Sequence, residues 1–349
     1  MADGRWQMAD GCGILESMGK TLFRIGINTV IGLVLVYFWL KLVNIQEIFH
    51  ALESFNPVVL IPAITLMILG TIIRAVRFKI LLLKSVNITY SKIINLSFLS
   101  QLLSFTVPIR LGELAKGVYL STQYNLHFGK AVVWVFLDRF LDFWAVLVLS
   151  LLFLSIIPTN LPEAFRGYLF FSAGMISLAI IVVVLKPEMF RFLAKKISLL
   201  LVIESIRKRF LKFAFFIIEC FSLLKGSYRR NGLLLVLTVF STLSEGMAWY
   251  LILSSFIPDL SVIKVWLGSM LNSLTFLIPA APGYVGSAEA AGLAVFTYGL
   301  GYDKIYVSAS TVIFHALSLI YILSSGIYGL YALKFNLGLV WKKVLRRED

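Results

Sequence analysis

The sequence predicts an all-α polytopic membrane protein, built as an inverted repeat with two re-entrant, broken-helix hairpins. Three observations predict it. Of 349 residues, 59% are hydrophobic and 14% charged, with a mean hydropathy of +0.90; soluble domains are nearer half apolar and a quarter charged. Apolar spans of membrane length recur along the chain, separated by loops that hold most of the lysines and arginines. Two apolar stretches are interrupted by proline and glycine with ionisable residues at the interruption, at 108–116 and 279–289.

In chain order, residues 1–19 are polar and Gly-rich and are expected to be a disordered leader outside the fold. The stretch GILESMGKT (13–21) misses a phosphate-binding loop, because its glycines stand one residue too far apart and no strand precedes them. A single transmembrane domain is expected over 20–335. Its first span, about 27–43, is led by Lys20 and Arg24, and a short amphipathic piece with Glu47 and Glu53 follows. The second span, 57–83, carries Arg74, Arg77, Lys79 and, just past its end, Lys84, where Arg74 and Arg77 read as snorkelling interface anchors. Next come the first broken element (91–124), a long helix (129–157), a turn (158–162) and a span (168–185). Residues 186–230 mix apolar residues with eleven lysines and arginines and read as helices lying along the membrane surface. A span holding Glu245 (233–257), the second broken element (261–300), a last span (305–333) and a cytoplasmic tail (336–349) complete the chain.

Basic loops stay cytoplasmic. That rule puts both termini, the 74–92 loop and 186–230 on the cytoplasmic side of a plasma (cell inner) membrane, with 44–56, 158–165 and 258–264 opposite. About 15 apolar residues at 1.5 Å each reach about 22 Å, short of the roughly 30 Å hydrocarbon core. Each broken element therefore reads as a hairpin, the first entering from the cytoplasm and the second from outside. The order span, hairpin, span occurs at about 57–157 and again at about 233–333. One constant offset lays Glu113 on Glu289 and Arg139 on His315. Inverted repeats whose discontinuous helices meet near the midplane mark secondary transporters.

Arg110, Glu113 and Lys116 sit at i, i+3 and i+6 on one helical face. With the dipole and free N–H groups of a half-helix starting near Gly112, they suit a lipid phosphate; the alternative is an ion pair that only cancels its own charge. Pro108 breaks the first element; Pro279, Pro282, Gly283 and Gly286 break the second. Glu289 follows that second break as either a site acid or part of a hairpin tip. Asp138, Arg139 and Asp142 either face the cavity or neutralise one another at a helix start. Glu245 either pairs with an arginine from another span or stays protonated, and His315 reads as a hydrogen-bonded core histidine in preference to a proton relay. Cys12 and Cys220 offer no disulfide framework and no metal spacing. No catalytic set and no nucleotide loop is present, so the sequence predicts neither enzyme, cofactor nor metal. The net charge of +14 is assigned to topology and anionic headgroups rather than nucleic acid. Membrane lipids are the expected partners, and a homo-oligomer is compatible with the sequence.

Pro108-Ile109-Arg110-Leu111-Gly112-Glu113-Leu114-Ala115-Lys116 resembles the P-x-R-x-G-E-x-x-R motif of the flippase-like family, also called the lysylphosphatidylglycerol synthase transmembrane region. The stretch 279–289 resembles its P-x-x-P-G-G-x-G-x-x-E motif, and Asp138-Arg139 with Asp142 is similar to its acid–Arg pair and following Asp. Arg74 and Arg77 match a basic pair ending the family's early span, which brings Arg77 into the candidate set. Lys116 stands where arginine is usual, Tyr284 replaces the second glycine and His315 stands where an arginine is expected. The resemblance covers about 20–335 and implies a stand-alone transporter without the soluble synthase domain. Its cargo would be an anionic or aminoacylated phospholipid or a polyprenyl-phosphate-linked lipid, moved between leaflets. The headgroup would contact Arg110, Glu113, Lys116, Arg139, Asp142, Arg77, Glu245 and Glu289. Two other readings remain at this point: an ion- or proton-coupled small-solute transporter, and a membrane-embedded lipid transferase.

Overall fold

The computed structural model describes residues 26, 29–83, 85–106, 112–201, 203–225, 227–275 and 281–336. The expected leader, the glycine-rich stretch 13–21, Pro108 and Arg110 of the first break, Pro279 of the second, and the tail beyond 336 lie outside the described residues. Among the described residues every regular element is helical. A backbone in hydrocarbon must satisfy its own hydrogen bonds, and a helix does so within one segment.

Helix α1 (Thr29–Leu42) meets α2 (Ile45–Glu53) at a bend of 79°. Asn44 starts the new direction by accepting from the Gln46 amide at 3.0 Å. The Asn56 side chain then accepts from the Val58 amide, and Pro57 takes the first turn, where no amide is needed. Helix α3 (Leu60–Leu82) continues from there. The chain proceeds through α4 (Tyr90–Thr106), α5 (Gly112–Gln123), α6 (Phe128–Leu154), α7 (Glu163–Leu185), α8 (Pro187–Leu199), α9 (Glu204–Ser222), α10 (Tyr228–Leu253) and α11 (Val262–Thr275). After the second break come α12 (Ser287–Gly292), a π-helical segment over Leu293–Gly299, and α13 (Lys304–Ala332), capped by Asp303.

Among the described residues, four helices are long and apolar enough to cross a membrane: Pro57–Leu82, Glu163–Leu185, Tyr228–Leu253 and Lys304–Ala332; the bent α1–α2 pair would make a fifth. The protein is thus multi-pass. Helix α6 matches them in length but carries Asp138, Arg139 and Asp142 near its middle.

Close packing sets the frame. Helix α3 runs antiparallel to α10: Ala63 packs with Ala248 and Ile252, Gly70 touches Ser241, and Arg77 reaches Thr238. Helices α4 and α13 are likewise antiparallel, with Gly326 against Leu102 and Gly329 against Asn95. Helix α11 lies on α6, where Trp266 and Phe153 stack at 6.4 Å. The return of α5 along α4 needs a glycine: a Cβ on Gly112 would sit 2.2 Å from the Ser104 amide nitrogen. The Ser100 hydroxyl also donates to the Gly112 carbonyl at 3.0 Å. Helix α9 turns Ala214, Ile218 and Phe221 inward, and Phe221 meets Phe140 of α6 at 4.9 Å. Its Lys208, Arg209 and Lys212 stay exposed.

Candidate functional site

Three helices converge on a buried charge network. Arg77 of α3 is fully buried. Its Nε donates to Asp138 Oδ1 at 3.0 Å, and its Nη2 donates to the same oxygen at 2.7 Å and to the Asp138 carbonyl at 2.9 Å. Its Nη1 donates to Asp142 and, at 2.9 Å, to the Thr238 hydroxyl of α10. Arg139 takes the outer oxygens, with Nη2 at 2.6 Å from Asp138 Oδ2, Nη1 at 3.2 Å from Asp142 Oδ2 and Nε at 3.4 Å from Glu113 Oε2. Lys116 lies 2.9 Å from Glu113 Oε2 and 3.8 Å from Asp138 Oδ2. Three cations (Arg77, Lys116, Arg139) thus balance three carboxylates (Glu113, Asp138, Asp142). Balance is what low-dielectric burial requires, because an uncompensated ion there costs several kcal/mol. The spacing of Glu113 and Lys116 on α5 serves this pairing: one turn apart, both reach α6.

The second break builds a smaller counterpart. Gly283 and Gly286 hold positive φ (69° and 78°), and a Cβ on Gly286 would sit 2.2 Å from the Gly32 carbonyl oxygen of α1. Glu289 Oε2 accepts from the Gly286 amide at 2.8 Å. Its Oε1 lies 2.7 Å from Nδ1 of His315, whose Nε2 lies 2.7 Å from the Gly283 carbonyl. A third polar set joins α3, α4 and α13: the Thr71 hydroxyl accepts from Gln101 at 3.0 Å and from Tyr321 at 2.7 Å.

Two cavities open between these clusters. One, of about 250 Å³, is lined by Arg74, Glu245, Gln101, Tyr321 and His315 above an apolar wall that includes Trp249 and Phe314. Those two rings stack at 4.2 Å. The other, of about 410 Å³, is lined by Arg74, Glu245, Glu113, Arg139 and Asp142. Arg74 and Glu245 belong to both linings, and Arg74 Nη2 donates to Glu245 Oε2 at 2.6 Å. That ion pair, made where α3 packs on α10, lines both cavities. Arg74 Nε and Asn272 Oδ1, both buried at cavity walls, make no hydrogen bond. Each is a polar group able to take a polar guest.

The structure corrects one expectation. Arg74 and Arg77 do not snorkel to an interface: Arg77 has no exposed surface, and Arg74 is spent on Glu245. Glu113, Arg139, Asp142 and Glu245 come together around the larger cavity; Glu289 lies beyond the smaller one, behind His315. Arg77, Asp138 and Lys116 sit deeper, wholly or almost wholly buried. Sequence reasoning missed Thr71, Gln101 and Tyr321. Their signal was a polar side chain inside each of three apolar helices. Arg74 was misjudged for want of its partner, which stands 171 positions away.

None of the curated proteins compared with the chain matches it. A family model described as the lysylphosphatidylglycerol synthase TM region matches residues 25–326. That match takes in both breaks, both ion clusters and every residue that lines the two cavities. The chain belongs to the lysylphosphatidylglycerol synthase transmembrane region family.

Proposed function

We propose that the protein moves a lipid between membrane leaflets, chemically unchanged, by passing its headgroup from one cavity to the other while the tails stay in the bilayer. The observation that carries this reading is the pair of polar cavities meeting at one shared ion pair, Arg74–Glu245. A headgroup with phosphate and polar or cationic groups exchanges with both members: the phosphate takes Arg74, and the remainder takes Glu245. Charged groups at membrane depth are costly and mark pathways. Arg139, Glu113 and Asp142 receive the headgroup on one side of this ion pair, His315, Gln101 and Tyr321 on the other. The family's description places it in membrane lipid biology, which agrees with such a cargo.

The architecture in this reading is an inverted repeat with re-entrant hairpins. Helix α4, of 17 residues, spans about 26 Å and α5, of 12, about 18 Å, each short of the roughly 30 Å core. The packing pairs recur under exchange of the halves: α3 on α10, α4 on α13 with α11 on α6, and α5 on α6 with α12 on α13. The offset that carries Glu113 onto Glu289 and Arg139 onto His315 relates two pairs that are both made, Glu113–Arg139 and Glu289–His315.

Purified protein in liposomes with fluorescent phosphatidylglycerol, aminoacyl-phosphatidylglycerol or a polyprenyl phosphate tests this reading. Arg74→Glu or Glu245→Arg alone places like charges at the shared pair and lowers leaflet exchange about tenfold, equivalent to about 1.4 kcal/mol of barrier; the double exchange restores part of it. Wild-type exchange of none of these lipids, or single variants that fold and exchange at the wild-type rate, defeats the reading.

A further inference from the structure

The two matching ion pairs are not chemically equal. Arg139 facing Glu113 keeps its charge at every physiological pH, whereas the imidazole of His315 facing Glu289 is a group that can hold either one ring proton or two. Hydrogen-bond geometry counts the protons. The Gly283 carbonyl can only accept, so at 2.7 Å the Nε2 of His315 carries hydrogen. The same imidazole puts Nδ1 at 2.7 Å from Glu289 Oε1. An ionised carboxylate there also needs a donor. Either Nδ1 carries a second hydrogen, or the carboxyl does. The closed contact therefore holds one proton beyond those of a neutral histidine and a carboxylate. Without it two lone pairs face each other at hydrogen-bond distance.

We propose that Glu289 and His315 form a proton-binding site that couples proton movement to the transit of the lipid, an inference that rests on the transport reading. The contact ties the second break to α13 at two points, Gly283 and Glu289, and Glu289 in turn holds the Gly286 amide. His315 also lines the smaller cavity beside the shared ion pair. Opening the contact to admit a headgroup separates His315 from Glu289 and Gly283 and releases the shared proton to the side the cavity then faces. Closing it takes a proton up. With release and uptake on opposite sides of the membrane, each transit carries one proton across with the lipid. The surroundings offer no second proton carrier of this kind among the described residues. Helix α3 presents Arg74 and α10 presents Glu245, which are paired with each other. The break presents Tyr284 and α13 presents Tyr321, both phenols; α4 presents Phe105 and Gln101. Helix α1 presents Gly32 and Val36 to the break, α11 presents Asn272, and α2 pairs His50 with Glu53 on an exposed surface.

The test uses the same liposomes with a pH dye inside and whichever of the three labelled lipids moves. The wild type exchanges lipid at rates differing about threefold or more between about pH 6 and about pH 8, since a single titrating group changes its rarer state about tenfold per pH unit beyond its pKa. Adding lipid to one side shifts the dye signal. In His315→Arg the ion pair is permanent, so whatever exchange it retains has a pH ratio near one and a silent dye. The wild-type dye measurement needs no variant and stands if His315→Arg fails to fold. Wild-type exchange that is flat with pH and silent to the dye overturns the proton site while leaving transport standing, and so does a His315→Arg ratio equal to wild type. Absence of wild-type exchange for all three lipids overturns the transport reading, and the proton site falls with it.

Discussion

Replacing Arg77 by methionine keeps most of the side chain's length and removes its charge. The structure sets the size of the effect. Asp138 Oδ1 loses two donors, at 3.0 and 2.7 Å, its carbonyl loses one at 2.9 Å, and Asp142 and the Thr238 hydroxyl each lose one. The balanced network becomes one negative charge in excess, centred on Asp138, which has no exposed surface. Breaking a buried pair from one side costs about 3–5 kcal/mol. In a chain of this size that lowers the unfolding midpoint by roughly 4–7 °C. Tryptophan fluorescence during heating in detergent micelles reads it, with seven tryptophans as reporters. Adding Asp138→Asn restores the charge balance and recovers at least about 1 kcal/mol, the non-additivity expected of groups in direct contact. Arg74→Met is the control. Its pair with Glu245 borders two cavities, at 23% and 34% exposure, and involves a single carboxylate, so its loss costs less than that of Arg77. An Arg77→Met protein that melts within about 1 °C of wild type, or no more than Arg74→Met, refutes the claim that Arg77 locks α3 to α6 and α10.

Two further outcomes follow from the packing. Gly112→Ala drives a methyl to 2.2 Å from the Ser104 nitrogen and 2.5 Å from the Ser100 carbonyl, both backbone. It costs about 1–3 kcal/mol by overpacking, visible in the same melting assay. Tyr321→Phe removes the hydroxyl that Thr71 and Gln101 share, costing about 1 kcal/mol. It also slows lipid exchange if that triad greets the headgroup, whereas a melting change without a rate change makes the triad structural alone.

Much of the frame was legible because hydropathy is written locally. The second span was read as 57–83 and is helical over Pro57–Leu82; the last was read as 305–333 and is Lys304–Ala332. Starts slipped where a helix opens on polar residues. Helix α10 was expected from residue 233, yet Ser227 caps it and Tyr228, Arg229 and Arg230 form its first turn. Helix α7 was expected from residue 168, but Glu163 and Arg166 already lie in it. Hydropathy cannot register a turn of helix made of charges. Partners were illegible for a different reason. Arg77 meets carboxylates 61 and 65 positions away, and the sequence shows only its distance from the end of an apolar run. From that alone an anchor at the interface and a fully buried network member look the same.

The constant offset between halves was readable, but its meaning required the contacts. Position by position it aligned an acid with an acid and an arginine with a histidine. A difference of that kind in an unpaired residue would carry little. Here both members of each pair touch, Arg139 to Glu113 at 3.4 Å and His315 to Glu289 at 2.7 Å. The exchange of arginine for histidine therefore changes the chemistry of a made contact while leaving its place in the fold. One half keeps a charge pair that no physiological pH can undo, within a network already balanced by Arg77 and Lys116. The Glu289–His315 pair stands apart from such a network, holds its break through two glycines at positive φ, and in the proposal above depends on a removable proton. In the transport reading proposed above, two alternating halves need one of them to yield first, and the Glu289–His315 contact, which can lose its charge, is the one suited to do so.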